Sequence, residues 1–376
     1  MPLITKPART RVAFHPLRVV QVEHLTDESV ALTFAVPPEL WGAYGFEPGQ
    51  HLTLRSTIGG EEVRQSYSIC VAQVPQTRLG QGQLLRVAAA RVEGGRMSTW
   101  LNESVRPGDE IEVMTPMGTF VVTVRPDEAR HHLAVAAGSG ITPVLSMVSS
   151  LLVQEPHSRV TLLYGNRRTS SIMFLEELED LKNAHPGRFQ LVHVLSREAP
   201  DVELFHGRLD RERLETILDA LAPVATVDEF YLCGPFGMVT GAQALLRERG
   251  VPAEHVHHEI FHVEDDRAPR PAAPFTPTDS SAPAAAVVTV TLDGRTTEVP
   301  MRTRDESVLA ATLRVRPDAP YSCAGGVCGT CRARVVEGEV TMDRNYALEP
   351  EELAAGIVLA CQAHPVTDRV RLDYDA

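Results

Sequence analysis

Four cysteines near the end of the chain constrain its fold more than any other feature. Cys323, Cys328 and Cys331 lie in Tyr-Ser-Cys-Ala-Gly-Gly-Val-Cys-Gly-Thr-Cys, spaced C-x4-C-x2-C, and Cys361 follows alone in Leu-Ala-Cys-Gln. This spacing predicts a [2Fe–2S] cluster, because two tetrahedral irons need two thiolates apiece and a tight loop must bring three of them to one face. Gly325, Gly326 and Gly329 suit such a loop, where backbone N–H groups approach the sulfurs closely. Structural zinc sites pair two short knuckles, whereas here the fourth cysteine stands apart. Disulfides are disfavoured because the start, Met-Pro-Leu-Ile-Thr-Lys-Pro-Ala-Arg, lacks the apolar segment of a secretory signal. The two remaining cysteines, Cys70 and Cys233, read as distant free thiols that fit a reducing, cytoplasmic setting. Such a cluster accepts one electron at a time, so the rest of the chain is expected to supply electrons.

With 376 residues the chain has room for two to three domains, and 43% apolar with 23% charged residues describes ordinary globular material. No apolar run is long enough for a membrane span. The net charge of −13 argues against a nucleic-acid partner, which needs a basic surface. Lysine is confined to Lys6 and Lys182, so phosphate recognition must rest on arginines, hydroxyls and backbone amides.

Residues 264–286 contain Pro269, Pro271, Pro274, Pro277 and Pro283 with almost no large apolar side chain. They predict an extended Pro/Ala-rich linker, because nothing in them can form a core. Upstream, Ser29 to Val36, Gln50 to Arg55, Val63 to Val71, Leu84 to Val92 and Glu110 to Met114 read as short strands between Gly and Pro clusters, the pattern of a small antiparallel barrel. From His131 the character changes. Strands at His132 to Ala136, Val160 to Tyr164, Phe189 to Leu195 and Phe230 to Cys233 alternate with helical stretches such as Ser171 to Lys182, which argues a parallel sheet with covering helices. The boundary between these parts is expected between Pro126 and Arg130.

At the first strand-to-helix junction stands Val135-Ala136-Ala137-Gly138-Ser139-Gly140-Ile141-Thr142-Pro143. Thr142 reads as an N-cap and Pro143 as the first helical residue, exposing helix amides to a pyrophosphate while Gly138 and Gly140 admit close backbone approach. A second glycine turn, Cys233-Gly234-Pro235, ends the last strand, and ligands of open α/β sheets bind at the carboxyl ends of strands. Both turns would face one crevice.

The residues before the linker resemble the ferredoxin–NADP reductase superfamily, a flavin barrel followed by a nicotinamide domain, and the C-terminal part resembles plant-type ferredoxins. Val340-Thr-Met-Asp-Arg-Asn345-Tyr-Ala-Leu-Glu349 and Val358-Leu-Ala-Cys-Gln362 look like the reductase subunits of phenylacetyl-CoA epoxidases. The resemblance implies a multidomain fold: an antiparallel β-barrel binding FAD over residues 15–127, an α/β parallel-sheet domain binding NAD(P) over 128–263, and an α+β β-grasp ferredoxin domain over 287–376. Electrons would pass from NADPH through FAD and [2Fe–2S] to the oxygenase component of a multicomponent monooxygenase. A Rieske-type or steroid-ring oxygenase partner, a stand-alone NAD(P)H diaphorase, and a non-enzymatic electron carrier or redox sensor are the competing readings.

The same resemblance assigns residues. Tyr67 and Ser68 would lie along the flavin ring, with Ser68 near N5, and Gly95, Met97, Ser98 and Thr99 would face the flavin phosphates at a helix start. The superfamily usually has an arginine two residues before the tyrosine, where this chain has Gln65. Arg64 should point to the opposite face, so either a bulge re-aims Arg64 or Gln65 meets the phosphate without a charge. Ser196 and Arg197, with Arg167, would contact a 2′-phosphate and favour NADPH over NADH. Cys233, beside Gly234 and Pro235, would adjoin the nicotinamide, and Glu259 with Phe261 resemble the active-site segment. Ser68, Cys233 and Glu259 are the residues expected to orient and polarise the reacting groups. Packing alone would also account for a small buried cysteine at a strand end.

Overall fold

The computed structural model describes residues 12–73, 83–199, 202–262 and 285–376, and these form two compact units, one within Phe14–Glu264 and one after it. The proline-rich stretch lies outside the described residues except for Ala285 and Ala286, and Ala286 already opens a strand. Among the described residues no helix is long and apolar enough to cross a membrane.

The larger unit begins with an antiparallel barrel of β1 (Phe14–Thr26), β2 (Ser29–Val36), β3 (His51–Ile58), β4 (Glu61–Ser68), β5 (Gln83–Ala90) and β6 (Glu110–Met114), with helix α1 (Arg96–Glu103). Strand order is β4-β3-β6-β1-β2-β5, and the bridge between Ile69 and Val87 joins the two ends. Alternation sends Val30, Leu32 and Phe34 of β2 into the barrel core with Leu52, Leu54 and Val113. Ala31, Ala88 and Cys70 point the other way and join the core of the next domain. Strand β1 was not legible in the sequence. Pro16 and an interrupted polar alternation hide it, although it pairs with both β2 and β6.

The next domain alternates β7 (His131–Ala137), α2 (Ile141–Gln154), β8 (Arg159–Asn166), α3 (Leu175–Ala184), β9 (Phe189–Leu195), α4 (Arg211–Leu221), β10 (Glu229–Pro235), α5 (Phe236–Glu248) and β11 (Val256–His262). All pairs are parallel, in the order β11-β10-β7-β8-β9, so the direction of winding reverses between β7 and β10. Helix α2 is buried all round from Ile141 to Leu152 because it lies against both the sheet and the barrel. Its serines fasten the two domains: Ser146 Oγ donates to Val71 O at 2.7 Å, and Gln73 N donates to Ser150 Oγ at 2.8 Å. Helix α3 starts at Leu175 rather than at Ser171, because Phe174 takes a left-handed φ of 59° and residues 169–171 form a separate short turn.

A buried ionic network holds the junction between these domains. Glu155 accepts hydrogen bonds from Arg125 N at 2.7 Å, Ser158 Oγ at 2.6 Å and His132 Nε2 at 3.0 Å, and it also pairs with Arg130. Burial alone would raise the Glu155 pKa, but the bonds from His132, Ser158, Arg125 and Arg130 outweigh it and hold the value at about 2. A carboxyl depressed below its unfolded value contributes stability that is complete above pH 4.5 and lost as pH falls toward 2. Replacing Glu155 with Ala takes from buried Arg130 its hydrogen-bonded carboxylate and leaves only Glu128 and Glu229 at 3.7 and 3.9 Å, so urea unfolding at pH 7 should show a loss of about 3 kcal/mol that narrows as the pH is lowered through that window.

The C-terminal unit contains β12 (Ala286–Leu292), β13 (Arg295–Met301), α6 (Val308–Leu313), β14 (Arg332–Glu337), β15 (Val340–Met342), α7 (Pro350–Ala354), β16 (Ile357–Leu359), β17 (Ala363–Pro365) and β18 (Arg369–Asp373). The main sheet runs β13-β12-β18-β14-β16, with first and last strands parallel side by side, and α6 packs over its core. Ser307 caps α6 by accepting from Ala310 N at 3.2 Å. This is the expected β-grasp arrangement, and the long loop between α6 and β14 carries three of the four cysteines.

Candidate active and cofactor sites

Tyr67 and Ser68 end β4, opposite Leu52 and His51 of β3. Ser68 is buried, and Tyr67 Oη is shut off from solvent without a hydrogen-bond partner, so burial raises the phenol above its ordinary value. An orphaned buried hydroxyl of this kind suits a bound polar ring edge. The β3–β4 register is unbroken from Glu61 to Ser68, so no bulge re-aims Arg64. Arg64 Nε instead donates to Glu62 Oε1 at 2.8 Å, and its guanidinium lies 5.2 Å from the centre of the Phe14 ring. Gln65 is exposed and lies on the face of Tyr67. At the start of α1, Gly95 is the N-cap and Met97 is buried in the barrel core. Ser98 Oγ donates to Gly95 O at 3.2 Å and accepts from Val92 N at 3.1 Å, while Thr99 N donates to Gly95 O. Of the expected phosphate ligands, the first-turn amides are thus better placed than the Ser98 hydroxyl.

The two glycine turns meet where the sheet reverses. A Cβ on Gly140 would fall 2.3 Å from Cys233 O and 2.6 Å from Cys233 C, so only glycine lets the turns approach this closely. Tyr164 Oη donates to Gly138 O at 3.1 Å and steadies the first turn from below. The capping expectation here needs correction. Residues 138–140 form a short 3-10 turn that runs directly into α2, so Gly140 is the N-cap, and Thr142 and Pro143 are the second and third residues of the helix's first turn. Thr142 Oγ1 donates back to Ser139 O at 3.0 Å, and the missing N–H of Pro143 is still among the unpaired amides of a first turn.

On the adjoining strands Cys233 pairs in register with Glu259, and Gly234 with Ile260. Cys233 is fully buried, and burial, reinforced by Glu259, pushes its thiol well above the ordinary value. Glu259 is half-buried as a residue, but its Oε2 is closed to solvent and has no hydrogen-bond partner. Burial raises its carboxyl to about 8, so at neutral pH it is mainly a protonated acid that can donate a hydrogen bond. Pro235 caps α5, and Phe261 packs against the core beside α2.

Arg167 and Arg197 are exposed at the carboxyl ends of β8 and β9, while Ser196 is half-buried. Backbone bonds continue the ladder past both strands: Ser196 N donates to Asn166 O at 2.9 Å and Arg197 N to Arg167 O at 2.8 Å. The two arginines are thereby held side by side at the rim.

All six cysteines are free, and the four of the C-terminal motif stand as two pairs, Cys323 within hydrogen-bond reach of Cys328 and Cys331 of Cys361. Among the described residues no three histidine, cysteine, aspartate or glutamate side chains meet as ligands of a single ion. A two-and-two arrangement fits a pair of irons rather than one zinc. The amides of Gly325 and Cys328 both donate to Cys323 Sγ at 3.4 Å, as the glycine-rich loop predicts. Two side chains support this loop in roles that the sequence does not assign, Asn345 of the resemblance stretch and Thr330. Asn345 shapes the following strap, accepting from Leu348 N at 2.8 Å and donating to Leu348 O at 2.9 Å, while Tyr346 N donates to Gly326 O at 3.0 Å. Thr330 Oγ1 lies 3.1 Å from Cys328 Sγ.

Comparison with known proteins matches each part. Residues 16–122 match the oxidoreductase FAD-binding domain, 134–244 the oxidoreductase NAD-binding domain, and 290–366 the 2Fe-2S iron-sulfur cluster binding domain. The chain is 44% identical over 363 residues to one of the subunits of the 1,2-phenylacetyl-CoA epoxidase of Escherichia coli (strain K12), covering 96% of this chain and 98% of that protein. It is 35% identical over 361 residues to the ferredoxin reductase component of 3-ketosteroid-9-alpha-monooxygenase of Rhodococcus rhodochrous, covering 95% and 96%. The solved structure of phthalate dioxygenase reductase shares the fold, with a TM-score of 0.57 at 21% identity over 96% of this chain and 98% of that one. The chain therefore belongs to the ferredoxin–NADP reductase superfamily, among the NAD(P)H-dependent oxidoreductases that join FAD-binding and NAD-binding domains to a C-terminal [2Fe–2S] ferredoxin domain.

Proposed function

We propose that this chain is the reductase component of a multicomponent monooxygenase of the phenylacetyl-CoA epoxidase type and that it draws its electrons from NADPH. The observation that carries the partner is the 44% identity to the Escherichia coli protein across nearly the whole of both chains. FAD, when bound, takes up a hydride as two electrons and hands them on singly to a [2Fe–2S] centre. The residues would serve that exchange by position. The close contact of the Gly140 and Cys233 turns forms the floor on which a nicotinamide would rest. Glu259 offers a neutral carboxyl beside Cys233 rather than a repelling charge. The barrel end at Tyr67 and Ser68 is tied to the nicotinamide domain through Val71, Gln73 and the serines of α2, which restricts relative movement of the two reacting rings. Assayed with purified oxygenases, the chain should support epoxidation of phenylacetyl-CoA, and turnover only with a steroid-ring oxygenase would overturn the assignment.

The paired rim arginines support NADPH. A guanidinium matches the oxygens of a 2′-phosphate with two parallel bonds, and charge-assisted bonds contribute about 1.5–3 kcal/mol. Arg197→Ala should therefore raise the KM for NADPH by about 10- to 100-fold while leaving that for NADH within about twofold. Steady-state kinetics with both nucleotides checks this, and a strong preference for NADH that the substitution leaves unchanged would remove the NADPH reading.

A further inference from the structure

The segment after the fourth cysteine contains a side chain whose bonds reach both halves of the cysteine site. Gln362 is half-buried, and its Nε2 donates to Ala324 O at 3.0 Å, to Cys361 O at 3.2 Å and to Cys361 Sγ at 3.7 Å. Ala324 lies in the loop between Cys323 and Cys328 and is held at a left-handed φ of 49°, a conformation that costs an ordinary residue about 1–2 kcal/mol and persists only where neighbours hold it. The Gln362 amide is one such neighbour. Its aliphatic stem packs on the same loop, where a Cβ on Gly326 would lie 3.1 Å from Gln362 Cγ. The backbone of Gln362 is fixed as well, with Gln362 N donating to Leu359 O at 2.9 Å and Gln362 O accepting from Asp343 N at 3.1 Å. One amide group therefore joins the Cys331–Cys361 pair to the loop of the Cys323–Cys328 pair, and it is the side-chain N–H aimed at Cys361 Sγ.

We infer that Gln362 is a positioning residue for the iron–sulfur centre, which sets the reduction potential by donating to the Cys361 sulfur and by locking the Ala324 turn. This rests on the reading of the four cysteines as ligands of a [2Fe–2S] cluster. An N–H donor to a ligand sulfur favours the more negative, reduced state, so its removal should make the centre harder to reduce. A carboxylate of the same shape accepts without donating and adds a negative charge beside the sulfur, which should have a larger effect in the same direction.

The test uses the full-length holoprotein and its Gln362→Leu and Gln362→Glu variants, with the midpoint potential of the centre measured by EPR-monitored redox titration. Cluster loss in the presence of an iron chelator is timed in parallel. The expected result is a negative shift of potential in Gln362→Leu, a larger one in Gln362→Glu, and cluster loss several-fold faster in both, with flavin content and flavin reduction by NADPH unchanged. A purely packing role would speed cluster loss while leaving the potential alone, so an unshifted potential in both variants overturns the inference. If Gln362→Leu fails to take up iron, Gln362→Glu, which preserves the shape, decides the matter by the same potential. A wild-type protein lacking two irons and two acid-labile sulfides per chain would overturn the cluster reading itself, and that result is distinct from an intact cluster indifferent to Gln362.

Discussion

Cys331→Ala is expected to give a protein that still binds FAD and is still bleached by NADPH at a near-normal rate, yet delivers essentially no electrons to an oxygenase. Cys331 lies in the core of the C-terminal unit and pairs with Cys361, so on the proposed cluster assignment its loss would leave one iron with a single thiolate from the protein. The nicotinamide turns and the barrel belong to the other compact unit, which has its own core. Stopped-flow absorbance at the flavin band should be preserved, while oxygenase turnover falls by about 100-fold or more, because the only remaining route is leakage from flavin. Equal loss of both activities would mean that the two units are not functionally separable.

Gly140→Ala should have the opposite signature, with the cluster and flavin present but hydride transfer from NADPH slowed by about 100-fold or more. The added methyl would have to displace the backbone of Cys233 and Gly234 rather than a flexible side chain, and this separates the two turns that form the crevice. Gly138→Ala provides the comparison. Gly138 has a positive φ of 54° but open space around it, so that change should cost only about 1–2 kcal/mol of backbone strain and a smaller loss of rate. Single-turnover reduction of bound flavin by NADPH distinguishes the two, and equal effects would mean that the close approach at Gly140 is not what shapes the site.

Much of this organisation is legible in the order of residues because it rests on local spacing. The C-x4-C-x2-C run, the strand ending at Gly138 and the turn at Gly234 each describe a feature a few residues long, and strand parity alone separates Arg64 from Gln65. What the sequence hides depends on neighbours brought in by the fold. The register that sets Cys233 beside Glu259 is a pairing of β10 with β11, and the carboxyl is raised by burial that no local pattern announces. The apparent cap at Thr142 and Pro143 misleads because a 3-10 turn merges with α2 and moves the helix start to Ile141. Gln362 closes a stretch that carries the resemblance, but its role is not legible there, since an amide next to a cysteine has meaning only once the Ala324 carbonyl is placed within 3.0 Å of it.

If one chain carries electrons from a nicotinamide, through flavin, to the centre held by Cys323, Cys328, Cys331 and Cys361, a single titration should display the whole route. The purified holoprotein is titrated anaerobically with NADPH and followed by absorbance and EPR together. The flavin band should bleach while the EPR signal of a singly reduced [2Fe–2S] centre grows in the same titration, approaching one spin per chain. A flavin fully reduced by NADPH beside a centre that stays oxidised would contradict this route.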